Sequence, residues 1–533
     1  MDYLHHPFPS KRHTVFAKKG MVATSQPLAA QAGLEILQKG GNAIDAAIAA
    51  AAAMTVVEPT SNGIGGDAFT LVWAKGELHG LNASGPAPER LTAEAVKQLG
   101  HDRMPRLGLV PITVPGAPAA WAALAGKFGG LPLTETLKPA IRYAEEGYPL
   151  TPILGKGWSR AFQAYRKQEG PEFEPWFQTF APNGRAPAIG EMWSSRDHAE
   201  TLRRIAATGA RDFYEGELAR RIEDFMVQHG GFLRRSDLAA YRPEWVKPVS
   251  ANYRGYDVWE IPPNGQGMVA LMALNIYERL EPPQWQSAET VHRQIEAMKL
   301  AFADGQAYIT EPADMPVQAE DLLSKAYAAG RAEDVHDTAS DPVPLELPKG
   351  GTVYLAAADE EGNMVSYIQS NYMGFGSGIV IPGTGIGLQN RGADFSLDER
   401  HPNFLKPGKR TYHTIIPGFL TKDGEAVGPF GVMGGYMQPQ GHFQVIANTV
   451  DYLLNPQAAL DAPRWQWIGG KKVHVEPEFP SGLVQALQRK GHDIEVMPDG
   501  VSFGRGQIIW RNPQTGVLAG GTDPRTDGMV AAW

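Results

Sequence analysis

The spacing of apolar positions changes character partway along the chain. Before about residue 350 it follows mainly the helical period, and it predicts a helix over Pro27–Gln38 and a second over Ala43–Val57. The second stretch is rich in small apolar residues on nearly every face, which predicts a buried, closely packed helix with Asn42 as its N-cap. After residue 352 the pattern favours short strands and turns, interrupted by predicted helices at residues 441–454 and 482–490.

Strand patterns occur on both sides of residue 350. Gly20–Thr24 predicts a short strand ahead of the first helix, and residues 253–259 predict a single strand. The apolar run 353–358, a turn, and the returning run 364–370 predict a β-hairpin. In this hairpin Thr352 occupies the first position of the first strand.

A boundary is predicted near residue 351. The preceding residues, about 331–351, are rich in Asp, Glu and Pro with little periodicity, which predicts an exposed linker. The chain therefore divides into a helix-rich first part, residues 1–351, and a β-rich second part, residues 352–533. A sheet shared by the two parts, with helices outside it, is the most economical architecture for this order of elements.

Composition excludes several classes of protein. The 533 residues are 43% hydrophobic and 20% charged, which is typical of a globular protein, and the net charge of −9 gives no basic footprint for nucleic acid. There is no cysteine, so disulfides, thiolate catalysis and cysteine-ligated metals are excluded. The first residues lack an apolar signal segment, and the longest apolar run, 43–57, is too short to span a bilayer. We therefore expect a soluble, cytoplasmic protein without a membrane partner.

The strongest candidate for chemistry is Thr352. An internal threonine is a poor nucleophile because its hydroxyl needs a base, and its own α-amine can be that base only if the chain is cut before it. Gly350 and Gly351 suit such a cut, because they put no side chain in the way and tolerate unusual backbone conformations. Most Gly-Gly-Thr triplets are turns that enter strands, so the triplet alone favours that interpretation over the catalytic one.

Several further motifs occur in order over nearly the whole chain. They lie at residues 20–23, 40–47, 65–69, 114–116, 253–256, 352–359, 374–378, 394–395, 434–435 and 523–525. Each glycine motif alone is weak, but the ordered set resembles one family, the gamma-glutamyltransferases (glutathione hydrolases) of the N-terminal-nucleophile hydrolase superfamily.

The resemblance implies a fold and a reaction. The fold is of the α/β (α+β) class, a four-layer αββα sandwich built from both halves of a precursor that cuts itself between Gly351 and Thr352. The large subunit, 1–351, and the small subunit, 352–533, then stay together as a heterodimer. Thr352 is the nucleophile and its freed amine the base. The substrate is a small γ-glutamyl or γ-acyl amide, and the acyl-enzyme passes its acyl group to water or to an amine. No metal or organic cofactor is implied, and the oligomeric state is left open, homo-oligomers included.

The resemblance also assigns roles to the residues around Thr352. Ser370 matches the second hydroxyl that contacts the nucleophile, and Gly434 and Gly435 match the glycines whose N–H groups stabilise the oxyanion. Asp394 matches the carboxylate that binds the α-ammonium of the substrate. Asn390 is a weaker substrate-binding candidate beside it.

Three positions depart from the family pattern where the family binds an α-carboxylate. The family's arginine falls at Ser84, and its twin serines match His413 and Thr414. Arg391, three residues before Asp394, is the candidate replacement for the lost positive charge, with Arg410 a second one. His413 could add charge at mildly acid pH. These departures weaken the case for tight glutathione binding. With them, the chain resembles acylases that accept glutaryl or other γ-acyl amides, including cephalosporin side chains.

Three hypotheses follow. The first is a γ-glutamyltransferase or hydrolase with altered specificity, and the second is a glutaryl or cephalosporin-type acylase with the same chemistry. The third, from another class, is an unprocessed and inactive relative that serves as a binding protein. Nucleotide binding is disfavoured because the glycine-rich loops at 61–67 and 374–378 enter strands instead of helices.

One pair of residues suggests a metal site. His292 and Glu296 stand four apart on a helix predicted over residues 287–308, a spacing that a metal could use. The sequence offers no evident third ligand, so a packing pair is favoured and no metal is predicted.

Overall fold

The computed structural model describes residues 12–280, 284, 285, 287–342 and 350–533 of the chain. Residues 343–349 of the predicted linker therefore lie outside the described residues. No helix in the described part of the chain has the length and apolar character needed to cross a membrane.

The strands follow the turn-punctuated stretches of sequence. In chain order they are β1 (Val15–Ala17), β2 (Gly20–Thr24), β3 (Asp67–Ala74), β4 (Glu77–Ala83), β5 (Tyr148–Pro149), β6 (Met192–Trp193), β7 (Glu244–Val246), β8 (Val249–Tyr253), β9 (Tyr256–Glu260), β10 (Gly351–Asp359), β11 (Met364–Tyr372), β12 (Val380–Ile381), β13 (Ile386–Gly387), β14 (Gly418–Lys422), β15 (Glu425–Met433), β16 (Trp465–Gly469), β17 (Lys472–Val475), β18 (Asp493–Val496), β19 (Arg505–Arg511), β20 (Leu518–Thr522) and β21 (Met529–Ala532).

The helices lie mainly in the first part of the chain. They are α1 (Pro27–Gln38), α2 (Ala43–Val57), α3 (Ala93–Gln98), α4 (Ala117–Phe128), α5 (Leu133–Thr136), α6 (Lys138–Glu146), α7 (Pro152–Tyr165), α8 (Glu174–Phe180), α9 (Arg196–Thr208), α10 (Arg211–Tyr214), α11 (Glu217–His229), α12 (Arg235–Ala240), α13 (Gly267–Glu278), α14 (Ala288–Tyr308), α15 (Ala319–Leu322), α16 (Lys325–Ala332), α17 (Met437–Val450), α18 (Pro456–Asp461) and α19 (Ser481–Arg489). Short 3₁₀ turns cover Pro171–Phe173, Pro312–Asp314, Arg391–Asp394 and Gly500–Phe503.

Two seven-stranded sheets pack face to face at the centre. One has the order β1-β20-β19-β15-β14-β9-β8 and the other β21-β2-β10-β11-β3-β4-β7. A buried apolar cluster that includes Phe69, Tyr354, Phe419 and Ile509 fills the space between them. Helices α1, α2 and α4 cover the outer face of the second sheet, and α13 and α17 cover that of the first. The four-layer αββα sandwich is confirmed, with two shared sheets where the pattern of elements had predicted one.

Both sheets contain strands from both sides of residue 351. Strand β10 pairs antiparallel with β2 on one side and with β11 on the other, and β11 pairs with β3. In the other sheet β14, which follows residue 351, pairs with β9, which precedes it. Breaking one peptide bond at 351 would leave these ladders and the shared core intact, so the two parts would stay associated.

Helix α2 attaches the outer layer to the hairpin that carries Thr352. Its N-terminus has a capping box, in which the Asn42 side chain accepts the N–H of Asp45 and the Asp45 carboxylate accepts the N–H of Asn42. Every residue of the helix is buried, and the helix packs on β10 and β11. The Asp359 carboxylate, in the hairpin turn, accepts the N–H of Ala43 at 2.8 Å.

The structure corrects some predicted elements. Residues 253–259 form the facing ends of β8 and β9, with a turn at Arg254 and Gly255, and not a single strand. Arg254 adopts a φ of 51° there, a conformation that residue type alone does not suggest. The first hairpin strand begins at Gly351, one residue before Thr352, and α18 is a helix that the pattern did not predict.

Candidate active site

A β-bulge places Thr352 opposite two residues of the neighbouring strand. Gly351 pairs with Tyr372 and Val353 pairs with Gln369, so Ser370 and Asn371 both face Thr352. A bulge turns side chains away from the regular alternation of a strand. Tyr372, directly after it, has a φ of 76°, which is rare for an aromatic residue and points to a constrained functional segment.

A chain of hydrogen bonds joins Thr352 to the bond that would be cut. Ser370 Oγ donates to the Gly351 carbonyl oxygen at 2.7 Å and lies 3.1 Å from Thr352 Oγ1. Since the single proton of Ser370 is used on Gly351, Thr352 is left to donate to Ser370. The backbone N–H of Tyr372 also donates to Ser370 Oγ at 2.8 Å. Both hydroxyl groups are buried, and the hydrogen bond from Ser370 polarises the Gly351 carbonyl.

The glycines predicted for the oxyanion contact lie beside this segment. Gly434 and Gly435 connect β15 to α17, with φ of 138° and 62°. A Cβ added to Gly350 would stand 3.0 Å from Gly435 Cα, and one added to Gly351 would stand 2.9 Å from the backbone nitrogen of Gly374. The close approach therefore needs glycine at 350 and 351. It brings the loop at the N-terminal end of α17 close to the segment that precedes Thr352.

Asp394 lies beside the catalytic segment and is contacted by two tyrosines. Tyr372, two residues after Ser370, donates its hydroxyl to Asp394 Oδ1 at 2.5 Å. The hydroxyl of Tyr436, the residue after Gly435, lies 3.5 Å from the same oxygen. Burial raises the pKa of Asp394 to about 6, although Arg391 opposes the shift.

Arg391 is buried next to Asp394 and is only partly paired. Its Nη1 donates to Thr414 Oγ1 at 2.8 Å and lies 3.4 Å from Asp394 Oδ2. Its guanidinium stacks over the Tyr372 ring, 4.0 Å from the centroid. Its Nε and Nη2 are buried and have no hydrogen-bond partner among the described residues. A buried guanidinium with two unmatched donors fits a bidentate anion such as a carboxylate.

Asn390 and Ser84 are both hydrogen-bonded to other residues of the chain. Asn390 donates to the Arg106 carbonyl and accepts the N–H of Met373, so its amide holds two loops together. Ser84 Oγ donates to Asn82 Oδ1 at 2.7 Å and accepts from Asn264. Ser84 therefore supplies no positive charge at the position of the family's arginine.

His413 is paired with a buried carboxylate that the sequence had not suggested. Its Nε2 lies 3.0 Å from Asp67 Oδ2, and its Nδ1 accepts the N–H of Ile415. Burial lowers the pKa of His413 well below its usual value, and nearby Arg391 and Arg410 lower it further. The expectation that His413 carries charge at mildly acid pH is therefore wrong. Arg410 is used in ion pairs with Glu244 and Glu311.

Thr414 links Arg391 to the Gly434–Gly435 loop through Gln266. Its hydroxyl accepts from Arg391, and its carbonyl accepts from the Gln266 amide, which also donates to the Gly435 carbonyl. Tyr372, Tyr436, Asp67 and Gln266 were missed in the sequence. The only sequence signal for the tyrosines is that each lies within two residues of a predicted catalytic position.

His292 and Glu296 do have a third neighbour, which corrects the prediction made from spacing. His492, before β18, lies with its Nε2 2.8 Å from His292 Nδ1, and the three residues place ligand-type atoms within 4.8 Å of one another. Glu296 also pairs with the buried Lys299 at 2.8 Å. A cation would have to replace the histidine–histidine hydrogen bond beside an ammonium group, so the cluster as it stands is a hydrogen-bonded network.

Comparisons with known proteins agree with this fold and site. The gamma-glutamyltranspeptidase family model matches residues 29–533, and the chain belongs to this family. A glutathione hydrolase-like YwrD proenzyme from Bacillus subtilis is 39% identical, with 97% of this chain and 99% of the relative covered. An oxamate amidohydrolase proenzyme from Klebsiella pneumoniae is 36% identical, with 96% and 98% covered. The crystal structure of a cephalosporin acylase from Bacillus halodurans superposes with a TM-score of 0.97 at 63% identity, covering 99% and 98%. Such relatives are hydrolases and acylases of the N-terminal-nucleophile type.

Proposed function

We propose that this chain cuts itself before Thr352 and that the mature enzyme hydrolyses or transfers acyl groups from amides whose acyl part ends in a carboxylate. The observation that carries the proposal is Arg391, a buried guanidinium with two unpaired donors in the cluster around Asp394. Glutaryl-type amides are the proposed donors.

Maturation would begin along the existing hydrogen bonds. Thr352 Oγ1 attacks the carbonyl carbon of Gly351, its proton passes to Ser370, and the proton of Ser370 moves to the developing oxyanion. When this intermediate collapses, the C–N bond breaks, the proton goes to the Thr352 nitrogen, and an ester joins Gly351 to Thr352 Oγ1. Water then hydrolyses the ester to a Gly351 carboxylate and a Thr352 with free amine and hydroxyl.

Turnover would repeat the same steps with a substrate amide. The free amine of Thr352 takes the Oγ1 proton as Oγ1 attacks the substrate carbonyl, and N–H groups at Gly434 and Gly435 hold the oxyanion. The protonated amine of Thr352 then passes this proton to the nitrogen of the substrate amide. The C–N bond of the substrate breaks, the substrate's amine departs, and an acyl ester remains on Thr352. Water or a second amine resolves this ester.

Two features favour a carboxylate on the acyl group. Arg391 can form two charge-assisted hydrogen bonds to it. Ser84 has a neutral hydroxyl that is already bonded to Asn82 and Asn264, so it is not a competing site for the carboxylate. The oxamate amidohydrolase relative is consistent with this preference, because the acyl part of oxamate carries a carboxylate. The cephalosporin acylase relative is consistent with a wide choice of leaving amine.

A γ-glutamyl donor is the second candidate. Asp394 keeps the carboxylate that the family uses for an α-ammonium, and a relative has a glutathione hydrolase-like name. However, Asp394 already accepts from Tyr372 and lies near Arg391 and Tyr436. An incoming ammonium would have to share it with a guanidinium of the same sign, which weakens binding.

A matched pair of chromogenic amides tests this proposal. Glutaryl and γ-glutamyl 4-nitroanilides differ only in the α-amino group. We expect kcat/KM for the glutaryl compound to be at least about tenfold higher, because the ammonium adds like-charge repulsion near Arg391. The reverse preference would make the γ-glutamyl reaction the function. A chain that stays uncut and cleaves neither compound would support the binding-protein hypothesis.

Lowering the pH should change KM in opposite directions for the glutaryl and γ-glutamyl donors. Because the pKa of Asp394 is about 6, the carboxyl becomes neutral below pH 6. We expect KM for the glutaryl donor to fall there, because a negative charge leaves the neighbourhood of its carboxylate, and KM for the γ-glutamyl donor to rise. Asp394→Asn should remove both trends. Parallel pH trends for the two donors, or trends that persist in Asp394→Asn, would contradict this role for Asp394.

A further inference from the structure

The Asp67 carboxylate joins the two segments that hold Arg391. Its Oδ1 accepts a side-chain N–H of Gln389, two residues before Arg391, at 2.9 Å. Its Oδ2 lies 3.0 Å from Nε2 of His413, the residue before Thr414. Thr414 in turn accepts a hydrogen bond from Arg391 at 2.8 Å. One carboxylate therefore connects the segment that carries Arg391 to the segment that binds it.

The surroundings of His413 determine which of its nitrogens is protonated. The backbone N–H of Ile415 donates to His413 Nδ1 at 3.3 Å, so Nε2 carries the proton and donates to Asp67. The imidazole also packs against Phe69, two residues after Asp67 on β3, with ring centroids 4.8 Å apart. The backbone N–H of Gly85 donates to Asp67 Oδ1 at 3.3 Å. The groups that contact the Asp67 carboxylate in these bonds are donors, which suits a carboxylate better than an amide.

The backbone of Asp67 belongs to the sheet that carries the nucleophile. Asp67 is the first residue of β3 and pairs with Ser370 on β11. The side chains of Asp67, Gln389 and His413 are fully buried. Burial raises the pKa of Asp67 to about 7, although nearby Arg391 and the hydrogen bond from Gln389 oppose the shift. Through Asp67, Arg391 is thus connected to the strand that presents Ser370 to Thr352.

We propose that Asp67 is a positioning residue for Arg391 and that it acts through His413 and Gln389. Without these two bonds Arg391 would keep its charge but lose the fixed direction of Nε and Nη2, on which a bidentate contact with a carboxylate depends. The inference rests on the proposed contact between Arg391 and the acyl carboxylate, and it assigns the residues that orient this contact. An effect of charge alone would have the opposite sign, because loss of the negative charge of Asp67 would favour binding of an acyl carboxylate.

Asp67→Asn tests this role with two donors, glutaryl 4-nitroanilide and butyryl 4-nitroanilide, which lacks the terminal carboxylate. The substitution keeps the shape of the side chain but turns one oxygen into a donor, which must face the N–H of either Gln389 or His413. At about pH 8.5, where the Asp67 carboxyl of the unmodified enzyme is ionised, we expect the ratio of KM for the glutaryl donor to KM for the butyryl donor to rise about tenfold.

Further variants show whether the effect passes through Arg391. His413→Gln can keep a donor toward Asp67, so the KM ratio should rise less than in His413→Leu, which has none. In an Arg391→Met background, Asp67→Asn should change the ratio by less than about twofold, because the arginine that it orients is already gone. If Asp67→Asn does not mature, the comparison of His413→Gln with His413→Leu makes the same test, and equal ratios in these two would overturn the inference.

Asp451→Asn is the matched control, because this buried carboxylate bonds to Tyr253 and Arg254 outside the candidate site. Cutting before Thr352 and thermal unfolding check the fold of each variant. An equal rise of the KM ratio in Asp451→Asn would show a general effect of losing a buried carboxylate and would overturn the inference.

The remaining outcomes separate this inference from the proposed function. An unchanged or lower KM ratio in Asp67→Asn overturns the inference and leaves the proposed function standing, and so does a rise that persists in full with Arg391→Met. If the unmodified enzyme shows no preference for the glutaryl donor over the butyryl donor, the proposed function fails and this inference falls with it.

Discussion

Replacing Thr352 by alanine is expected to stop both maturation and turnover. The substitution removes the hydroxyl oxygen that is proposed to attack the Gly351 carbonyl and that is hydrogen-bonded to Ser370. On a denaturing gel the unmodified protein should give fragments of about 38 and about 20 kDa, by scaling 57.8 kDa to the lengths of 1–351 and 352–533. Thr352→Ala should give one band near 58 kDa and no measurable amide hydrolysis.

The matched variant is Thr352→Ser, which keeps a hydroxyl and, after cleavage, an α-amine. It should still mature and hydrolyse, although more slowly. Thr352→Ala should remain folded, because Ser370 keeps its bonds to the Gly351 carbonyl and to the Tyr372 N–H. Thermal unfolding of the two variants checks this. A small fragment that begins elsewhere than Thr-Val-Tyr-Leu by N-terminal sequencing, or one that persists in Thr352→Ala, would move the nucleophile to another residue.

Local elements were predictable where one short stretch of sequence determines them. Helix α2 was predicted with its observed ends because Asn42 and Asp45 form the capping box within four residues. The β8–β9 turn was missed because Arg254 takes a left-handed backbone conformation that is uncommon for an arginine. The number of sheets was also missed by pattern alone, since period-2 segments do not say which of two stacked sheets they join.

The candidate site, like the fold, has parts that the sequence predicted and parts that it did not. The motifs that carry the resemblance to the family predicted Thr352, Ser370, Gly434 and Gly435. The contacts of the proposed acyl-binding residues could not be predicted in this way, because they join residues far apart in sequence. Tyr436 reaches Asp394 across 42 positions, and His413 reaches Asp67 across 346. Whether each N–H group of Arg391 has a hydrogen-bond acceptor depends on how such distant segments pack together. Only the folded structure could therefore show that its Nε and Nη2 have no partner among the described residues.

Arg391→Met is expected to abolish selectivity for a carboxylated acyl group while sparing maturation. Removing one partner of a buried, hydrogen-bonded charge pair should lower kcat/KM for the glutaryl anilide by about 100-fold, mainly through KM. The kcat/KM of Arg391→Lys for the glutaryl anilide should lie between those of the unmodified enzyme and Arg391→Met. An ammonium keeps the positive charge but cannot form the bidentate pair of hydrogen bonds. Butyryl 4-nitroanilide, which lacks the carboxylate, should be cleaved equally by all three proteins.

Cutting at Gly351 is the internal control for folding in these variants. Arg391 contacts Asp394, Thr414 and the Tyr372 ring but no atom of the Thr352–Ser370–Gly351 hydrogen-bond chain, so the fragment pattern should not change. Arg400→Met is the matched arginine control, since that side chain is 91% exposed and pairs with Asp398. If Arg391→Met lowers kcat equally for the glutaryl and butyryl anilides, Arg391 positions Tyr372 and does not bind the acyl carboxylate. The carboxylated-donor proposal would then fail, although the assignment of Thr352 would stand.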